Sequence, residues 1–159
     1  MIRTIIIDDE QHCIDSLAFD LQKHCRDIEL LETCTNPKEG LLAIKKQKPA
    51  LIFLDVQMPW MNGFEMLELL DQINFAIIFT TAFDQFAAKA FRISAIDYLL
   101  KPIDVNDLKE KVERLIQVTA NNDELYKNAR QSYLEKYHPD VHYNSIIKIY
   151  EQTIKNYTA

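Results

Sequence analysis

Five short apolar runs, each followed by a longer stretch of helical spacing, constrain this chain more than any other feature. The runs are Ile2–Ile7, Ile28–Glu32, Ala50–Leu54, Phe75–Thr80 and Ile96–Leu100. The first, third and fourth are almost unbroken in Ile, Leu, Phe and Ala. Strands buried on both faces have that composition, whereas a sheet wetted on one side alternates apolar and polar residues. Between the runs, apolar residues recur three or four apart, as in Leu17 and Leu21 or Leu108, Val112 and Leu115. That spacing predicts helices over about 11–24, 37–46, 63–70, 85–92 and 105–118. Asn36 suits an N-cap, with Pro37 at the first helical position. Five βα units in series predict a parallel α/β sheet with right-handed crossovers.

At 159 residues the chain fits one domain with little room for a second. It is long enough to bury a core without disulfides or a structural metal. The net charge of −6 argues against a general binder of the phosphate backbone, which needs a basic surface. Cys13, Cys25 and Cys34 are odd in number and form no C-x-x-C, so reduced thiols and a cytoplasmic location are expected. His138 and His142 flank Pro139 with no cysteine near, which reads as a loop or helix cap rather than a metal site. No apolar run is long enough for a signal-peptide core or a membrane span.

The chemistry sits at the ends of the runs. The first runs into Asp8-Asp9, the third into Asp55, the fourth into Thr80-Thr81 and the fifth into Lys101-Pro102. In a parallel sheet all C-terminal strand ends share one edge, where open α/β folds bind ligands. Taken singly, each residue has an ordinary reading: Asp8, Asp9 and Thr81 as helix caps, Asp55 as a turn residue, Lys101 as an exposed loop lysine. Their joint placement at four strand ends favours a site. Three carboxylates held close together repel, so either one carboxyl pKa rises or a cation binds. Lys101 supplies one positive charge, and a hard divalent ion with oxygen ligands would supply two more. An Asp carboxylate is also an established phosphoryl acceptor, with the transferring charge neutralised by metal and lysine.

The chain resembles a response-regulator receiver domain of two-component systems over about residues 2–119. Asp8-Asp9-Glu10, Leu54-Asp55-Val56-Gln57-Met58-Pro59, Asn62-Gly63, Thr80-Thr81-Ala82 and Asp97-Tyr98-Leu99-Leu100-Lys101-Pro102 carry the resemblance. The segment Phe79–Ala87, with Ala90-Phe91 and Ala95–Tyr98, is further similar to receivers linked to a LytTR DNA-binding domain. The resemblance implies a flavodoxin-like, doubly wound, five-stranded sheet of order 2-1-3-4-5. It implies Asp55 as phosphoacceptor for a histidine kinase or phosphotransfer protein. Mg²⁺ would be held by Asp8, Asp9, Asp55 and the backbone carbonyl of Gln57. Lys101, Thr81 and Ala82 would meet the phosphoryl group, and Tyr98 would change rotamer in response. Pro59 and Gly63 belong to the loop after the phosphoacceptor, where Trp60 and Met61 are either surface contacts or, as expected, packed within the loop. Lys101-Pro102 matches the family's cis peptide. Many receivers dimerise through the fourth helix, fifth strand and fifth helix, which here brings in Lys89, Arg92, Asp97, Lys111 and Arg114.

After about Thr119 the pattern changes. Leu125, Ala129, Tyr133 and Tyr137, then Ile146, Ile149, Tyr150, Ile154 and Tyr157, suggest two amphipathic helices. Acidic and basic residues balance within 120–159, so the net charge of −6 sits on residues 1–119. The segment is too short for a LytTR module. It is either a linker to an output domain outside this sequence, through which alone DNA would be bound, or the helical extension of a stand-alone receiver. The resemblance implies self-modification only rather than turnover of a substrate. Two other classes fit less well. A haloacid-dehalogenase-type phosphatase places a second Asp where Gln57 stands. A flavodoxin-like FMN site needs small hydroxyl residues after the first strand, not Asp8-Asp9-Glu10.

Overall fold

The computed structural model describes residues 1–82 and 97–121, the side chains of 118–121 excepted. The elements run β1 (Ile2–Ile7), α1 (Gln11–His24), β2 (Ile28–Cys34), α2 (Pro37–Gln47), β3 (Leu51–Asp55), α3 (Gly63–Glu68), β4 (Ala76–Thr81), β5 (Asp97–Leu100) and α4 (Val105–Asn121). All strand pairs are parallel, in the order β2-β1-β3-β4-β5. The expected helix over 85–92, both helices of the tail, and Lys89, Arg92, His138 and His142 lie outside the described residues.

The central strands are mostly apolar because helices cover both faces. Ile5, Ile7, Ile52, Leu54, Ile77 and Phe79 pack with Ala43 and Ile44 of α2 and Phe64, Met66 and Leu67 of α3. The alternate residues Ile6, Leu51, Phe53, Ile78 and Leu99 pack with Ile14, Leu17 and Leu21 of α1 and Leu108, Val112 and Leu115 of α4. Successive strand residues thus serve opposite layers, as the two-residue period requires.

Local chemistry sets the helix ends. Asn36 Oδ1 accepts a hydrogen bond from Glu39 N at 3.0 Å, and Pro37 opens α2 as expected. A capping box starts α3: Asn62 Oδ1 accepts from Phe64 N and Glu65 N, and Asn62 N donates to Glu65 Oε2 at 2.9 Å. The helix ends at Glu68 instead of Leu70, in a tightened turn where Leu69 N and Leu70 N bond three residues back. Strand β2 runs two residues beyond its expected end. A register shift between Thr4 and Ile5 takes up Leu31, and pairing then continues through Thr33 and Cys34 against Ile6 and Ile7. The last helix continues to Asn121, past the change of pattern near Thr119.

Candidate phosphoacceptor site

Backbone hydrogen bonds carry the C-terminal sheet edge just past the strands. Asp8 N donates to Cys34 O at 3.1 Å, Val56 N to Thr80 O at 3.0 Å, and Lys101 N to Thr81 O at 2.7 Å. Each bond fixes the residue that follows a strand, so side chains distant in sequence point into one small volume. Asp8, Asp55 and Thr81 are buried there, and Asp9 lies nearer solvent.

Lys101 is the hub. Its Nζ lies 2.7 Å from Asp8 Oδ2 and 3.0 Å from Asp55 Oδ1, with Glu10 Oε2 at 3.8 Å. The Lys101-Pro102 peptide is cis. Asp8 is also fixed locally, because its Oδ1 accepts from Glu10 N at 3.0 Å. Burial opposes the Lys101 charge, but hydrogen bonds and attraction from Asp8 and Asp55 override it and hold the ammonium well above its ordinary pKa. Burial also drives Asp55 from 3.8 up to about 6. Lys101 opposes that rise, and the charges of Asp8 and Asp9 add to it.

Carboxylate oxygens of Asp8, Asp9 and Asp55 lie within 4.8 Å of one another. Three carboxylates against one ammonium leave two negative charges when all are ionised. The donors are all oxygen, which suits a hard divalent cation such as Mg²⁺. When bound, such an ion would neutralise charge on a phosphoryl group beside Asp55.

The other expected residues separate into those the fold brings to this edge and those it does not. Thr81 and Ala82 stand at the end of β4, the threonine buried and the alanine exposed. Tyr98 is half-buried on β5 and packs against the α2–α3 side of the core. Gln57 and Pro59 are exposed in the loop after Asp55, while Met58 is buried in it. The loop closes where Gly63 N donates to Val56 O at 3.0 Å. A Cβ on Gly63 would collide with the backbone carbonyl oxygen of Asp55, which explains the glycine by close approach.

Two expectations are corrected. Met61 does pack against the core, but Trp60 is 98% exposed. Asp97 is not an exposed charge: it is 3% exposed. Its Oδ2 accepts from Arg114 at 3.2 Å, its Oδ1 lies 3.4 Å from Lys111 Nζ, and Oδ1 also accepts from Tyr98 N at 3.0 Å. Asp97, Lys111 and Arg114 therefore pair within the chain.

Glu10 had no assigned role, yet it borders Lys101, and its Oε2 accepts from the Cys13 thiol at 3.4 Å. Its place after Asp8-Asp9 was the available signal. Burial lifts the Cys13 pKa to about 11, so this thiol stays protonated near neutrality.

Fold and site together define a receiver domain: residues 4–113 match the response regulator receiver family, and the chain belongs to it. It is 46% identical over 116 residues to an uncharacterized response regulatory protein of Shewanella oneidensis, covering 72% of this chain and 49% of that one. It is 44% identical over 124 residues to the transcriptional regulatory protein BtsR of Escherichia coli, covering 77% of this chain and 52% of that one. The chain thus spans about half the length of these curated relatives. The response regulatory domain of protein mrkE from Klebsiella pneumoniae shares the fold, with a TM-score of 0.68 at 24% identity over 76% of this chain and 99% of that one. The receiver domain of AraT, a response regulator from Geobacillus stearothermophilus, gives 0.64 at 25% identity over 74% of this chain and 98% of that one.

Proposed function

We propose that the chain receives a phosphoryl group on Asp55 from the phosphohistidine of a kinase or phosphotransfer protein, and that the modified domain switches an output. The observation that carries this reading is the meeting of Asp55 and Lys101 Nζ at 3.0 Å beside Asp8 and Asp9, on the sheet edge. An Asp55 Oδ attacks phosphorus, the P–N bond breaks, and the donor ring, protonated on its other nitrogen, leaves with the bonding pair as neutral imidazole. Lys101 steadies the developing charge, and the Thr81 hydroxyl engages a phosphoryl oxygen. Asp8, Asp9, Asp55 and the carbonyl of Gln57 would hold Mg²⁺, and Tyr98 would respond through its rotamer. The chain catalyses only its own phosphorylation and dephosphorylation, in the cytoplasm.

The output belongs to a longer protein. The relative BtsR is a transcriptional regulator of about twice this span, and the Phe79–Ala87 segment resembles LytTR-linked receivers. A LytTR-type domain following the receiver would bind DNA. Phosphorylation promotes homodimerisation through the face made by the helix expected over 85–92, which lies outside the described residues, by β5 and by α4, the expected fifth helix. Arg114, whose side chain is 59% exposed, is presented there, while Asp97 stays inside. A stand-alone receiver acting through protein contacts is the alternative.

Phosphoramidate with Mg²⁺ should add a single phosphoryl group, visible by intact mass. Asp55→Asn should abolish it, and Asp9→Ala should weaken labelling and Mg²⁺ binding together. Labelling that survives Asp55→Asn unchanged would refute the assignment.

A further inference from the structure

The loop between β3 and α3 holds a side chain that folding does not explain. Trp60 is the most exposed large apolar residue among those described, at 98%. Its φ is 65°, in the left-handed region. There a bulky residue is strained by its Cβ, a strain that glycine avoids and asparagine tolerates. The only other described non-glycine residue with positive φ is Lys48, which closes α2. Most residues around Trp60 have a use: Met58 is buried, Met61 packs on the core, Asn62 caps α3, and Gly63 abuts Asp55. The indole alone is left in water on a strained backbone.

Its place indicates what covers it. Three residue steps, at most about 11 Å, separate Trp60 from Gly63. Asp55 is 3% exposed, so a histidine carried on a protein reaches it only if that protein covers the loops around the site. A standard interface takes about 800 Å² of each partner, a patch of roughly 16 Å radius, which includes Trp60 when centred on Asp55. Tryptophan is among the side chains that most often anchor such contacts.

We infer that Trp60 is a docking anchor for the phosphohistidine-bearing protein that phosphorylates Asp55, contributing to recognition of the donor and not to the chemistry. The inference rests on the proposed phosphotransfer, and the test separates the two. The wild-type chain, Trp60→Ala and Trp60→Asn are each offered two donors. One is phosphoramidate, which has a P–N bond but no protein surface. The other is whichever autophosphorylated histidine kinase of the source organism labels the wild type fastest.

Both variants should be labelled by phosphoramidate within twofold of wild type, while kcat/KM for the kinase falls tenfold or more, mainly through KM. Trp60→Asn should melt at or above the wild-type temperature, because asparagine tolerates the left-handed backbone. Equal rates from the kinase overturn the inference. So does equal slowing with both donors, which would make the loop part of the site. Unchanged transfer with altered sedimentation of the phosphorylated protein would assign the indole to a second copy of the chain. A wild type labelled by phosphoramidate but by no kinase also overturns it. A wild type labelled by neither donor refutes the phosphotransfer reading itself.

Discussion

Replacing Asp55 with asparagine should stabilise the metal-free protein. Asp55 is almost fully buried and its pKa rises from 3.8 to about 6, chiefly through burial. At roughly 1.4 kcal/mol per tenfold, keeping this carboxylate ionised at neutral pH costs about 3 kcal/mol relative to the unfolded chain. Asparagine removes the charge and keeps an oxygen that can accept from Lys101. It also weakens the Lys101 contact, but Asp8 still holds that ammonium at 2.7 Å. The Lys101 attraction is already inside that shift, so only the poorer hydrogen bonding of the amide, about 1–2 kcal/mol, is set against it, which leaves a net gain of about 1–2 kcal/mol. For a domain of this size that is about 3–8 °C in Tm.

The pH dependence gives the sign. A raised carboxyl pKa means that the folded state binds more protons between 3.8 and about 6. The cost is therefore full above pH 6, shrinks as pH falls through that window, and is gone below 3.8. Thermal melts followed by circular dichroism, in a chelator, should show Asp55→Asn ahead at pH 7.5 and level with wild type near pH 4. Mg²⁺ at ten times its dissociation constant would stabilise the wild type by about 1.4 kcal/mol and close most of the gap. A wild type as stable as the variant at pH 7.5 without divalent ions, or a gap that widens on acidification, would refute the reasoning.

Gly63→Ala should disturb the site more than the core. The new Cβ meets the Asp55 carbonyl and the Leu54 side chain, so a loss of about 1–3 kcal/mol is expected, with slower phosphoramidate labelling, by denaturant melts and intact mass. Asp97→Ala should cost about 2 kcal/mol, because it strips Lys111, Arg114 and the Tyr98 amide of their shared acceptor. Arg114→Ala, at an exposed guanidinium, should cost under about 1 kcal/mol, and equal urea midpoints for these two variants would contradict the assigned network.

The sheet and the site were legible for one reason: each reactive residue follows a run that has no other plausible structure. Ile2–Ile7 and Leu51–Asp55 are too apolar to be anything but covered strands, and this fixes where Asp8 and Asp55 emerge. Where the reading failed, the controlling contact was distant in sequence. β2, the edge strand, is half polar, and its end depends on a shift opposite Thr4 and Ile5 that composition does not encode. Asp97 looks like a surface charge locally; only the register of β5 on β4 and the path of α4 bring Arg114 and Lys111 onto it. Trp60 was expected to pack within its loop rather than meet the surface, but it stands in water on a left-handed residue of the loop that closes between Val56 and Gly63, a conformation that the sequence does not signal.

These contacts also locate the strand that a change at Asp55 would move first. Phosphorylation exchanges a singly charged carboxylate for a group carrying about two negative charges. Lys101, held between Asp8 and Asp55, is the cation that feels this most directly. Lys101 follows β5 immediately, and its amide is bonded to Thr81 O, so any adjustment of the ammonium is delivered to a strand of four residues. At its other end Asp97 ties that strand to α4 through Arg114 and Lys111. Tyr98 lies between the two ties, with its amide on Asp97 and its ring against the core. A strand fixed at both ends has little freedom to slide, so the response has to appear in what β5 carries between them. Tyr98 is the one half-buried side chain of that strand, and under the proposed phosphotransfer its rotamer is the feature that should change when Asp55 is modified.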